Sequence, residues 1–459
     1  MAKIISIQNN ILRFHFETAE QRFEAYYESF LSSDLGSIYR AIPWDNLCRV
    51  IYKHLPRKSN RGKKPFFSLQ GKIALMFLKQ YLRDSDASII KRLHTDYALQ
   101  FFCGIYLRPE DQIKDYKLIS QIRCELAKTL SIDDIQAELM KYWRVYLKDI
   151  HIGLIDATCY ESQLRYPTDV KLLWECCEWT YGQMKKMCRW TKQRMPRSKF
   201  LEQSSKYLSY QKKRKKTYKQ TQIKKRSLLY LLDKLLVQIS DVYKIASNKD
   251  LIMPPMYHQR IRTIQTICNQ QLDHYQNGLP IKDRIVSIAK NYLRPIVRGK
   301  ETKIVEFGAK VNCVQIDGIN FIEHLSFDAF NEGTRLEQSI FLVRKLTGKC
   351  THVGADQIYA TNKNRTYCSK QNIKTNFIPK GKPGPLEQQR GQMQSLLSKE
   401  RATRLEGSFG TEKVHYGLSK INAKTDANEI LCIFFGIHTA NAVDIGKRIL
   451  QSQKSKKHG

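Results

Sequence analysis

The chain has 459 residues, of which 42% are hydrophobic, enough for two or three cores and ordinary for a soluble protein. Lysine and arginine number 78 against 43 acids, and the formal charge of +35 favours a polyanionic partner. With no amphipathic lipid anchor in view, that partner is nucleic acid rather than a membrane.

Two further classes drop out. The opening MAKIISIQNN is broken by polar residues too early for a signal peptide, and ILCIFFGI (430–437) is too short to span a bilayer. The twelve cysteines show neither CxxC nor Cys/His ligand spacing, so they read as reduced, mostly buried thiols of a cytoplasmic protein.

In chain order, residues 1–64 read as a helical lead-in that runs into the basic loop PRKSNRGKKP (56–65). Leu69, Ile73, Met76 and Gln80–Tyr81 keep helical spacing. DSDAS (84–88) breaks and caps, Ile89, Ile90 and Leu93 open a second short helix, and YALQFFCGI (97–105) closes a third on Gly104. Short helices with tight turns suit a helix-turn-helix reader of DNA and an ordinary helical bundle alike. On the first reading, Lys91 and Arg92 face DNA while their apolar neighbours face the core.

HIGLIDATCY (151–160) reads as a buried strand ending on a carboxylate, Asp156. A buried carboxylate beside apolar groups is costly unless something positive meets it. A long helical tract follows, with Pro167 and Thr168–Asp169 at its start, so Asp169 reads as a first-turn or capping residue. From Met184 to Arg226 the tract is dense in cations, with Lys212, Lys213, Arg214, Lys215 and Lys216 in one run and Trp190, Tyr207, Tyr210 and Tyr218 interleaved. Few acids offset them, like charges along a helix repel, and a DNA backbone relieves that repulsion. Leu228, Leu231, Leu232, Leu235, Ile239 and Val242 then form a core stripe.

Strand character returns at 303–330, where Asp317–Gly318 between two alternating runs signals a type I′ hairpin and makes Asp317 a turn residue. Thr334 and Glu337 read as a capping box opening a helix that stops at Gly348. The short run THVGAD (351–356) again ends on an acid, Asp356. After GKPGP (381–385) a final helical region carries Glu406 and a core stripe of Ile430, Ile433, Phe434 and Ile437. The tail QSQKSKKHG (451–459) reads as basic and disordered.

Two strand ends and one helix can thus bring Asp156, Asp356 and Glu406 to the C-terminal edge of an α/β sheet, where such sheets keep their sites. Three converging carboxylates repel unless cations sit among them, and hard oxygen ligands suit Mg²⁺ or Mn²⁺. Two such ions are the apparatus for in-line attack on a phosphodiester.

The segments GLIDATCYESQLRYPTDVKLL, FGAKVNCVQIDG, NEGTRLEQSI, ADQIYATNKNRTYC and RLEGSFGTEKVHYGL, in that order over nearly the whole chain, carry a resemblance. The sequence resembles a bacterial insertion-sequence transposase of the DDE type. The resemblance implies an RNase H-like α/β catalytic domain at 145–450, interrupted by a helical basic insertion at 165–300. It implies a helical DNA-binding domain at 1–130 in front. It also implies that Asp156, Asp356 and Glu406 are the metal-binding triad, and that the chain works as a homodimer on double-stranded transposon ends and target DNA.

Many relatives carry Tyr seven and Arg four residues before the Glu, and Lys seven after it. Here Lys413 keeps its place, but Lys399 and Ala402 stand upstream, with Arg401 and Arg404 nearby as substitutes for the phosphate contacts. Glu400 and Glu412 rival Glu406 as third acid. Two other readings stay open: a DNA-binding protein of the same fold that no longer cuts, and a general RNase H-like nuclease.

Overall fold

Among the described residues from 18 to 146 the regular elements are helices, for local reasons that can be named. In the computed structural model, which describes residues 18–55, 65–108, 110–297, 304–380 and 387–457, they include α1 (Ala19–Leu31), α2 (Asp34–Arg40), α3 (Trp44–His54), α4 (Leu69–Leu82), α5 (Asp86–Leu93), α6 (Tyr97–Cys103), α7 (Leu118–Ala127) and α8 (Ile132–Trp143). Ser68, Ser85 and Asp96 each accept a backbone N–H in the first turn of α4, α5 and α6. Gly104 ends α6 at φ 61°. The segment expected to be a basic loop (56–65) lies, apart from Pro65, outside the described residues, as does GKPGP (381–385).

The chain divides into two compact units, Gln163–Gly308 with Phe327–Ala329 forming one and the remainder the other. The larger unit contains α1 to α8, the strands β1 (Ile152–Glu161), most of β3 (Val305–Ile316), β4 (Ile319–Ser326), β5 (His352–Ala355) and β6 (Lys374–Thr375), and the helices α13 (Leu336–Thr347), α14 (Asn362–Lys370), α15 (Glu387–Glu400), α16 (Glu406–His415) and α17 (Asp426–Lys457). It is a mixed α/β unit. β1 lies between β3 and β5. β5 and β6 run parallel to it in succession, and β4 pairs antiparallel with β3.

The β3–β4 turn has Asp317 and Gly318 at φ 45° and 83°, the two positive values that a type I′ turn requires. α17 is the central helix of this unit, with Ile433, Phe434 and Ile437 buried and Phe435 edge-on to Phe77 at 5.0 Å. It packs on α2, α4, α7 and β4. It is long and apolar enough to cross a membrane, but most of that stretch is buried inside the unit.

The smaller unit holds α9 (Asp169–Thr191), α10 (Phe200–Lys212), α11 (Tyr218–Ser247) and α12 (Pro255–Asn277), and the short strand β2 (Pro295–Val297), which pairs antiparallel with the first residues of β3. Leu228, Leu231, Leu232, Leu235, Ile239 and Val242 are all buried in its core. Trp174 of α9 stacks on Phe200 and Tyr207 of α10.

Four expectations are corrected. β1 does not end on Asp156: it continues to Glu161 with β3 as its other neighbour, and only the pairing with β5 stops there. The Thr334–Glu337 capping box does not form. Asn331 caps a 3₁₀ turn over Glu332–Arg335 instead, and the Thr334 hydroxyl donates to the Asn331 carbonyl. The tail is helical as far as Lys457, because α17 does not stop at the predicted boundary. Asp317 is more than a turn residue. Arg404 and Arg448 reach its carboxylate at 2.9 and 2.8 Å, the Lys148 N–H donates to it at 3.0 Å, and together they outweigh burial and hold its pKa below the usual value.

Candidate active site

β1 and β5 are in parallel register from Ile152 opposite His352 to Ile155 opposite Ala355. The next residue on each strand is an aspartate, so Asp156 and Asp356 leave the ladder side by side, on strands about 4.8 Å apart. The sequence separates them by 200 positions; the register joins them. Asp156 is largely buried, its side chain 14% exposed. Burial pushes its pKa up to about 6, against the pull of Arg401 and the Ala157 N–H and with added push from Glu332 and Asp356. Asp356 is exposed and caps a 3₁₀ turn, accepting from the Gln357 N–H at 2.7 Å.

Glu406 comes to this edge by an unusual helix. α15 and α16 are joined without a break by five residues of π-helix, Arg401–Leu405. This wider turn, often found at functional sites, packs against β1. α15 packs on β5, and close approach is possible there because Gly354 has no side chain: a Cβ at that position would lie 3.1 Å from the Leu397 carbonyl oxygen.

Arg401 ties the acids together. One of its terminal nitrogens lies 2.6 Å from Asp156 Oδ2 and 2.8 Å from Glu406 Oε1. Burial works against its charge, but Asp156, Glu406 and Asp356 outweigh burial and hold the guanidinium above its ordinary pKa. Nothing in the sequence announces this bridge, because Arg401 and Glu406 are out of phase in an α-helix.

The other expected residues are distributed as follows. Lys413 Nζ donates to Thr158 Oγ1 on β1 at 2.9 Å and lies over the Tyr160 ring. Glu412 is fully buried, accepting from the Tyr160 hydroxyl and from Asn320 Nδ2, which makes it a core residue rather than a third acid at the edge. Glu400 pairs with Arg404 at 3.6 Å. On α5, Ile89, Ile90 and Leu93 are buried as expected and Lys91 is exposed. Arg92 is paired with Asp84 and Asp96, and His94 bonds Ile90 and Ile113, so the helix offers solvent fewer polar groups than its sequence suggests. In the smaller unit the run Lys212–Lys216 is exposed around the α10–α11 connection. Asp169 opens α9, but it also pairs with Lys225 and Arg284, so Lys225 of the cationic tract is neutralised internally.

Sequence reasoning missed Glu332. It pairs with Lys310 at 2.7 Å and pushes on the charge of Asp156. Its 3₁₀ turn packs on the turn that follows Asp356.

The donors at this edge are all carboxylate oxygens, the chemistry that suits a hard divalent cation. Among the described residues no three His, Cys, Asp or Glu side chains are grouped closely enough to hold a metal as they stand. The Arg401 guanidinium supplies positive charge to two of the acids instead.

A family model described as "Transposase domain (DUF772)" matches residues 16–125. That match supports a transposase. It falls on the N-terminal helices up to α7 and does not reach β1, β5 or α16. Neither the curated proteins nor the solved structures contain a match to the chain.

Proposed function

We propose that the protein is a DNA transposase of the DDE type, with an RNase H-like catalytic fold. The observation that carries this reading is the β1–β5 register, which sets Asp156 beside Asp356 at the carboxyl edge of parallel strands, with Glu406 tied to Asp156 through Arg401. The transposase-domain match supports it from the other end of the chain. Asp156, Asp356 and Glu406 are the residues to hold one or two Mg²⁺ or Mn²⁺ ions, which when bound activate the attacking oxygen and stabilise the leaving one.

Around that centre the chain's own groups have separable roles. Arg401 and Lys413 bring positive charge to the acids and to β1, where a scissile phosphate must approach. Lys91 and Lys212–Lys216 are exposed cations for backbone phosphates, which position DNA without specifying its sequence. Hydrolysis leaves a hydroxyl on one side of the cut and a phosphate on the other, and attack of that hydroxyl on a target phosphodiester joins the strands and releases a target hydroxyl, in a working homodimer that holds two element ends.

The test is divalent-metal-dependent nicking of DNA carrying the element's terminal inverted repeat. Asp156→Asn, Asp356→Asn and Glu406→Gln remove a charge and a ligand at near-constant volume. Each is expected to abolish nicking while DNA binding stays within about two-fold of wild type. Wild-type nicking by any of the three overturns the assignment.

A further inference from the structure

Between Glu202 and Asp233 the sequence holds ten lysines and arginines and no acid. In the smaller unit the second half of this tract is the first part of α11, whose two faces differ sharply. Leu228, Leu229, Leu231 and Leu232 are buried in the unit's core. Lys219, Ile223, Arg226 and Tyr230 form the opposite stripe, and Tyr218 stands at the helix start about 120° around the axis from Tyr230; Tyr218 is 80% exposed, Tyr230 67% and Ile223 58%. These residues line an open groove that Tyr275 of α12 closes on one side. Arg226 lies over the Tyr230 ring at 5.8 Å from its centroid, and Lys216, just before the helix, lies over Tyr210 at 5.6 Å.

A solvated helix face explains exposed lysines. It does not explain large exposed rings interleaved with them, since an exposed Tyr gains nothing from water. Cations alone suit a duplex backbone, but a duplex hides the faces of its bases. Unpaired bases present those faces, and base–aromatic stacking beside phosphate-binding cations is how single strands are held without sequence preference. Tyr218 and Tyr230 are twelve residues apart on one helix, ~18 Å along its axis, and both line the one groove, which is therefore long enough for several nucleotides.

We propose that this groove along α11 binds single-stranded DNA, with bases stacked on Tyr218 and Tyr230 and phosphates met by Lys219, Arg226 and the Lys212–Lys216 run. The proposal rests on the reading of the chain as a protein that works on DNA, and it names the strand form taken by the smaller unit. A single strand arises wherever an end is opened for cutting or joining.

The experiment uses the full chain and two fluorescent probes of about twenty nucleotides, oligo(dT) and a random-sequence duplex, followed by anisotropy at fixed salt. Tyr218→Ala combined with Tyr230→Ala is expected to weaken oligo(dT) binding about ten- to hundred-fold, the loss of one or two stacked bases, and duplex binding less than about two-fold. Both rings are exposed and alanine favours helix, so far-UV circular dichroism stays unchanged. Tyr218→Phe with Tyr230→Phe retains the binding, because the ring and not the hydroxyl is used.

Equal losses on both probes, or no loss on oligo(dT), overturn the proposal. So does a change of sedimentation coefficient with DNA binding intact, which makes the stripe a contact between copies of the chain. The catalytic reading is judged separately: metal-dependent nicking that fails in the triad variants stands even if oligo(dT) binding ignores the tyrosines.

Discussion

Arg401 and Glu406 bond to each other at 2.8 Å although they stand five residues apart in one continuous helix. In an α-helix that spacing puts two side chains about 140° apart around the axis. The π turn over Arg401–Leu405 widens the helix by one residue and returns both to the same side, where Asp156 is waiting.

From this follows a prediction about metal affinity. The guanidinium competes with any cation for Asp156 and Glu406. Arg401→Gln removes that competitor at similar length, so Mn²⁺ is expected to bind at least several-fold more tightly in a paramagnetic-resonance titration of the protein without DNA. Unchanged or weaker binding would mean that Arg401 and the metal do not share these acids. On the proposed function, cleavage is expected to fall in the same variant, because the guanidinium that bridges Asp156 and Glu406 is gone.

A second prediction concerns Gly354. The methyl of Gly354→Ala would meet Leu154 Cδ2 at 2.8 Å and the Leu397 carbonyl at 3.1 Å. Leucine can swing aside; the helix backbone cannot without lifting α15, and with it the π turn. The cost is about 1–3 kcal/mol, as for other overpacked cores. Thermal unfolding is expected to move down, and nicking to fall by more than the stability loss accounts for, because Glu406 moves off the strand edge. Gly407→Ala is the control, since a Cβ there meets nothing within 4 Å.

The third prediction is a pH dependence with a definite sign. Burial raises the Glu412 pKa from 4.5 to about 7, against the lowering effect of its bonds from Tyr160 and Asn320. The fold therefore holds a proton that the unfolded chain has released, and stability falls as pH rises from about 4.5 to about 7. His438 works in the opposite direction: burial lowers its pKa to about 3, so stability is lost as pH falls below 6.5. The two windows overlap, and the clean measurement is a difference. Glu412→Gln is expected to gain on wild type by about 2–3 kcal/mol between pH 5 and pH 8, read from denaturant unfolding. A constant difference across that range would show that Glu412 is ionised in the fold at both ends.

What could be read from the sequence was what neighbours in the chain decide. The DSDAS cap of α5, the Gly104 end of α6, the Asp317–Gly318 turn, the Gly348 stop and the leucine stripe of α11 all follow from a few consecutive residues, and all are found where expected. The acids Asp156 and Asp356 could be singled out because each follows a short apolar run.

Their partners could not be read. Arg401 reaches the site only because the helix leaves the α phase, which no periodicity in RATRL signals. Glu332 reaches it through a 3₁₀ turn that replaced the expected capping box. Arg92 looked free as part of a basic patch, yet two aspartates already hold it, one of them eight residues upstream. Asp317 looked finished as a turn residue, and Arg448, 131 positions away, also depends on it. The pairings of Arg401 with Asp156 and of Asp317 with Arg448 span 245 and 131 positions, beyond the reach of any local pattern.

The register of β1 with β5 also imposes an order in time. At translation rates of roughly 5–20 residues per second, about 10–40 s separate the synthesis of Asp156 from that of Asp356, and Glu406 comes later still. The cationic helices α10 and α11 lie in that interval. On the reading proposed above, a nascent or prematurely ended chain therefore carries its polyanion-binding helices before it carries a complete set of acids. On that reading, a chain that ends after the smaller unit and before Glu406 is expected to occupy the same DNA without cutting it, and so to compete with the intact protein.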